Sequence, residues 1–174
     1  LCSGIKENME TKKLIDVKEV LRQKAPNIAK KIPEFAVNYL IRTVHQDDIN
    51  DIIRRLGHLE GVAFMQALVK DFDLTLNIIG EENLPAPGGR YIFAANHPLG
   101  ALDGISLAAL LGEKYNGKIR YLVNDLLFYI SNFHSIFVPI NKSGPQGKEA
   151  TRKIEEAFAS DNQILTFPSG LCSR

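Results

Sequence analysis

The sequence predicts an α/β fold, a mostly parallel sheet flanked by helices and preceded by an N-terminal helical region. Three observations carry that prediction. From Asp73 onward, short apolar runs alternate with helical patterns at the rhythm of strand–helix units. Before Asp73, apolar residues recur at helical spacing among lysines and arginines. Finally, 45% of the 174 residues are hydrophobic, enough for one globular domain with a real core.

In the first region, Leu14, Val17, Leu21 and Ile28 fall at helical spacing, with Lys12, Lys13, Lys18, Arg22 and Lys24 around them. Pro26 and Pro33 punctuate this stretch, and Phe35–Ile41 reads as a second, apolar helix. Asp47 or Asp48 is placed to cap a third helix, running through Ile49, Ile52, Ile53 and Leu56 to Gly57. A fourth runs from about Leu59 to Lys70, and Gly57 and Gly61 leave room for close helix packing. Basic amphipathic helices beside aromatic residues suit packing on a neighbour or an anionic membrane surface. The expected organisation is therefore residues 1–72 as the helical region and 73–174 as the α/β domain. Met9 reads as a native start, with Leu1–Asn8 upstream of it.

In the second region, Leu74–Gly80 alternates like a strand, and Pro85–Gly89 turns the chain into a strand at Tyr91–Ala95. Then follow a helix over Leu102–Leu111, a strand over Lys118–Val123 and a helical segment through Asp125–Tyr129. A strand at Ile136–Ile140, a helix at Lys148–Ala159 and a strand at Gln163–Phe167 complete the pattern.

Charge and cysteine usage narrow the function classes. The chain carries 21 basic and 20 acidic residues, so no global charge points to nucleic acid. Cys2 and Cys172 make no disulfide framework and fit a reducing cytoplasm. No apolar stretch approaches the roughly 18–20 residues of a bilayer span, and no signal peptide pattern is visible. The expectation is a soluble or peripheral protein.

The stretch that carries chemistry is Asn96-His97-Pro98-Leu99-Gly100-Ala101-Leu102-Asp103-Gly104. It leaves a strand through a Pro/Gly turn, and a histidine with an aspartate six positions later suits a general base and the carboxylate that orients it. Such a pair contributes about 10²–10⁴-fold in rate. The same pattern also describes a structural histidine beside a helix-capping aspartate. The position favours chemistry, because loops at the carboxyl ends of α/β strands are where ligands bind. Glycines at 100 and 104 also let backbone approach a ligand.

Other candidates are weaker. Gly104-Ile105-Ser106-Leu107-Ala108 has part of a nucleophile elbow, but a loop and helix rather than a strand precede Ser106. Gly144–Lys148 lacks the glycine spacing of a phosphate loop, and Glu149 stands where Ser or Thr is required. His45, His58 and His134 have no metal-ligand spacing with the cysteines, so no metal site is expected.

The block Asn96–Asp103 resembles the Asn-His-x4-Asp block of the PlsC-type glycerolipid (lysophospholipid) acyltransferases. It is most similar to the hemolysin-like, lyso-ornithine-lipid acyltransferase branch, where five residues separate His and Asp, as here. Phe137-Val138-Pro139-Ile140-Asn141-Lys142 resembles the family's second block, and Phe167-Pro168-Ser169-Gly170-Leu171-Cys172-Ser173-Arg174 its third. The resemblance implies that His97 deprotonates an acceptor hydroxyl and Asp103 orients it. Asn96, Gly100, Asn141, Lys142, Phe167, Pro168, Ser169, Gly170 and Arg174 would then contribute to substrate binding. It also implies an acyl carrier protein or coenzyme A thioester as donor, a lysolipid acceptor (lysophosphatidic acid or a lyso-aminolipid) and no cofactor. A lipid substrate implies peripheral attachment to the inner face of the cytoplasmic membrane.

This chain departs from the family pattern at three positions. Lys142 stands in place of the usual Arg, Ser169 in place of Glu and Cys172 in place of Arg; Arg174 matches the block's second basic position. Lysine lacks arginine's planar fork for phosphate, which shifts the expectation toward an acceptor such as a hydroxylated acyl-amino-acid lipid. Family members continue beyond this third block, so the domain is expected to be incomplete at its C-terminus. Two competing readings are an inactive lipid-binding or membrane-associated protein of the same fold and a serine hydrolase using Ser106.

Overall fold

The computed structural model describes residues 14–124, 127, 129–141 and 147–168. The chain divides into two compact units, meeting in sequence between Gly57 and His58.

The first unit is helical: α1 (Val17–Lys24), α2 (Pro26–Ala29), α3 (Glu34–Thr43) and α4 (Gln46–Leu56). Asp16 caps α1 by accepting from the Lys18 N–H at 2.8 Å, and also from that of Glu19. The buried Asn50 of α4 clamps the chain ahead of α1. Its Oδ1 accepts from the Ile15 N–H at 2.7 Å and its Nδ2 donates to the Ile15 carbonyl at 2.9 Å. Neither expected aspartate caps α4. His45 takes the cap position in the left-handed region (φ 54), and Asp47 and Asp48 lie in the first turn, where the helix dipole favours acidic side chains.

The second unit contains α5 (Gly61–Asp71), β1 (Ile92–Ala94), α6 (Ala101–Lys114), β2 (Ile119–Asn124), β3 (Phe137–Ile140), α7 (Lys148–Ala159) and β4 (Gln163–Thr166). The fold class is as expected. All pairings among the four strands are parallel, in the order β1-β4-β2-β3. Tyr121 of β2 lies against Gly104 of α6, whereas its neighbour Leu122 packs with Val138, Ile154, Ala157 and Ile164 beneath α7. Adjacent strand residues point to opposite faces, so α6 and α7 cover opposite sides of the sheet. α5 packs on α6 where Gly112 admits Val62; a Cβ on Gly112 would meet the valine methyl carbon at 2.4 Å.

Three expectations are corrected. The helix expected at Leu59–Lys70 forms as α5 but packs in the second unit, so the break falls after Gly57 rather than at residue 72. The close helix contact uses Gly112, whereas Gly61 (φ +55) opens α5 against Ser135 and Ile136. Leu74–Gly80 is not a strand: despite its alternation it finds no ladder partner, and Leu76, Ile78 and Ile79 remain exposed. Most of the helix expected at Asp125–Tyr129 lies outside the described residues.

Candidate active site

β1 and β4 end together. Ala94 stands opposite Thr166, and the Ala95 N–H donates to the Thr166 carbonyl at 3.1 Å, so the residues that follow leave the sheet side by side. One exit carries Asn96 and His97, the other Phe167 and Pro168. The Phe167 ring lies flat on the His97 imidazole, with centroids 4.1 Å apart and planes 19° apart. Phe167 thus fixes the plane of the imidazole.

The chain then reverses at Gly100, whose φ of 64° and ψ of −125° suit glycine, and enters α6. Asp103 is the third residue of that helix. Its Oδ2 accepts from the Leu99 N–H at 2.7 Å and stands 3.4 Å from His97 Nδ1. The two side chains are 20% and 18% exposed, sheltered yet reachable. The separation is long for a hydrogen bond, as catalytic contacts often are before substrate tightens them. Asp103 thus ties the entry turn of α6 and faces the histidine.

Tyr121, which sequence reasoning missed, completes the site from below. Its ring meets Phe167 edge-on at 5.6 Å and Phe137 at 5.3 Å, and a Cβ on Gly104 would stand 2.7 Å from its hydroxyl. Burial, and then the nearby Asp103 carboxylate, push its phenol above the usual range, so it stays protonated. The available signal was a tyrosine in register with the buried Ile119 and Val123 of one strand.

Among the other predicted residues, Asn96 is exposed and borders the same opening as Asp103, and Pro168 is exposed beyond Phe167. Asn141 follows β3 at the same end of the sheet but three strand spacings from β1, about 14 Å. Lys142, Ser169, Gly170, Cys172 and Arg174 lie outside the described residues. Ser106 sits inside α6, so the strand-to-helix turn that a nucleophile elbow needs is missing. Among the described residues no cluster of three His, Cys, Asp or Glu could hold a metal, and no helix is long and apolar enough to cross a membrane.

A histidine–carboxylate pair at the carboxyl end of a parallel sheet fits acyl transfer, and the sequence comparison decides the family. Residues 19–174 match the family model described as Acyltransferase. The chain belongs to the acyltransferase family. This acyltransferase chain is 47% identical over 161 residues to a lyso-glycine lipid O-acyltransferase of Bacteroides thetaiotaomicron, covering 92% of this chain and 59% of that protein. It is 45% identical over 161 residues to a lyso-glycine lipid O-acyltransferase of Phocaeicola vulgatus, covering 92% and 57% respectively. The acyltransferase chain thus spans less than two thirds of the length of these relatives. No solved structure matches it.

Proposed function

We propose that the protein transfers a fatty acyl group from an acyl carrier protein or coenzyme A thioester to the hydroxyl of a lysolipid in membrane lipid synthesis. The observation that carries this reading is the His97–Asp103 pair, 3.4 Å apart and held by Phe167 and Leu99, in a chain of this family. His97 turns Nδ1 to the carboxylate and acts through Nε2, on the far edge of the ring. As the hydroxyl oxygen attacks the thioester carbonyl, Nε2 takes its proton; when the C–S bond breaks, the same proton passes to the departing thiolate. The products are an ester and a thiol, and no cofactor enters. Asp103 orients the imidazole and stabilises the imidazolium between the two steps.

The acceptor we favour is a lyso-aminolipid. Both relatives act, by their names, on a lyso-glycine lipid, and the Ser169 and Cys172 replacements point away from a glycerol phosphate. A lipid acceptor places the protein peripherally on the inner face of the cytoplasmic membrane. The test is acyl transfer by the full-length gene product, from labelled acyl carrier protein and acyl-CoA to lyso-glycine lipid and lysophosphatidic acid, beside His97→Ala. Transfer lost in the variant is the expected result. No transfer to any acceptor by folded protein would overturn the reading and favour a lipid-binding role.

A further inference from the structure

The His97 imidazole and the Asp103 carboxylate rest on different supports, with a gap of 3.4 Å between them. Behind the imidazole stands Phe167, one residue past the end of β4, so its ring is placed by contacts with His97 and Tyr121 rather than by the ladder. Behind the carboxylate stands the first turn of α6, where Gly104 follows Asp103. Tyr121 touches both supports. Its ring meets that of Phe167 edge-on at 5.6 Å, a favoured geometry for aromatic pairs. Its hydroxyl fills the space beside Gly104 that a side chain there would need. Tyr121 is itself held on both sides: it is in register with Leu165 of β4 and Phe137 of β3, and the Phe137 ring closes on it at 5.3 Å.

We propose that Tyr121 is a positioning residue that sets the distance between His97 and Asp103, bracing Phe167 with its ring and Gly104 with its hydroxyl; the inference rests on the acyl-transfer reading of that pair. Asp103 and Phe167 border the groove that opens beside α6, whereas Tyr121 does not line it and is 4% exposed. Tyr121 therefore acts through its neighbours and not on substrate. The brace needs an aromatic ring and a glycine together. A smaller side chain on β2 would free the Phe167 ring to tilt, and the imidazole stacked on it would follow. A side chain at residue 104 would press on the hydroxyl and push the first turn of α6 off the sheet, taking Asp103 with it. Burial, and then the Asp103 carboxylate, keep the phenol protonated, so no second negative charge arises beside that carboxylate. A misplacement of about 1 Å that originates away from the chemistry costs about 10²-fold in rate.

The experiment uses the full-length enzyme and reads kcat, KM for thioester and lysolipid, and the imidazole Cε1–H resonance of His97, assigned by its loss in His97→Ala. Tyr121→Leu removes both ring and hydroxyl. It is expected to lower kcat about 10–10²-fold with both KM values held. The His97 resonance should shift as well, because the ring current of Phe167 acts on it from 4.1 Å. Tyr121→Phe keeps the ring and should retain most of kcat and the wild-type resonance. Ile164→Ala, at a buried position of β4 in the cluster beneath α7, controls for lost stability and should leave kcat per folded molecule unchanged. Wild-type kcat in Tyr121→Leu overturns the proposal. So does a raised KM with kcat unchanged, which assigns Tyr121 to binding, or an equal fall in kcat in Ile164→Ala, which makes Tyr121 a core residue. Should Tyr121→Leu fail to fold, Gly104→Ala approaches from the other side. Its kcat is expected to fall and Tyr121→Phe in the same chain to restore part of it; no recovery overturns the proposal. If folded wild-type protein transfers nothing, the acyl-transfer reading fails by itself, and the resonance decides the brace: a His97 signal unmoved by Tyr121→Leu overturns it.

Discussion

At the amino end of the sheet, the buried Gln163 accepts from the Tyr91 N–H at 2.9 Å and donates to the Gly89 carbonyl at 3.0 Å. Nearby, the Tyr115 hydroxyl donates to the Pro85 carbonyl at 2.8 Å, and Arg90 donates to the Phe158 carbonyl at 3.3 Å. At the carboxyl end, His97, Asp103 and Tyr121 are held by ring packing, one backbone N–H and a glycine's missing side chain. Both ends border a cavity, about 270 Å³ at the first and 350 Å³ at the second. The difference lies in what the polar atoms face. At the amino end they satisfy backbone that would otherwise be unpaired, so they stabilise. At the carboxyl end Asp103 ties one backbone N–H and also borders the opening, where it stands 3.4 Å from His97. A parallel sheet tolerates this division because loops at its carboxyl edge can vary while the strands hold register.

The sharpest way to break the comparison is to exchange the effects of mutation at the two ends. His97→Ala should lower transfer about 10²–10⁴-fold, with the loss of its stacking on Phe167 a far smaller effect on thermal unfolding. Asp103→Asn tests the double role of that carboxylate. Asparagine Oδ1 still accepts from the Leu99 N–H, so the entry turn of α6 survives while orientation of the base is lost. Activity should fall about 10²-fold with stability within roughly 1 kcal/mol. If Asp103→Asn transferred acyl groups at the wild-type rate, Asp103 would be a capping residue only.

Gln163→Ala should do the reverse. It strands the Tyr91 N–H and the Gly89 carbonyl, costing about 2–4 kcal/mol in denaturant unfolding, with kcat per folded molecule unchanged. A smaller effect is expected where the site meets its packing. Gly104→Ala drives a methyl group against the Tyr121 hydroxyl, for a cost of about 1–3 kcal/mol. Tyr121→Phe in the same chain should recover part of that loss. Additive effects in this double-mutant cycle would show that the contact does not limit packing.

How much of this was legible in the sequence depends on the kind of signal. Elements with strong local patterns form where expected: the α7 helix spans Lys148–Ala159, and all four strands lie within a residue or two of the apolar runs that predicted them. His97 and Asp103 were readable because a short turn brings them together, six residues apart across the entry of α6. Leu74–Gly80 misled because period-two alternation records which side of an extended chain is apolar, not whether another strand is there to pair. It lines the groove against α6 instead. Phe167 reaches the histidine, and Tyr121 reaches Phe167, only through the strand order β1-β4-β2, which no local window contains. The expected boundary at residue 72 failed for a related reason: Gly112 is 50 residues from the Val62 it accommodates, and that contact carries α5 into the second unit.

The subtlest difference between the two ends should appear in alkali. Burial and the Asp103 carboxylate raise the Tyr121 phenol above its ordinary 10.0 in the folded protein. A raised folded value means that the unfolded chain gives up its proton first as pH increases. The associated stability is therefore fully present below pH 10 and declines as pH climbs from 10 toward the folded value. Tyr115 at the amino end is raised as well, by burial first and then by Tyr91, so it supplies an alkaline loss of its own. In Tyr121→Phe the stability of the folded protein above pH 10 should fall less steeply than in wild type, but still fall. Denaturant midpoints measured from pH 8 to above 10 give the two slopes. Parallel slopes would mean that neither burial nor the Asp103 carboxylate raises the Tyr121 phenol in the folded protein.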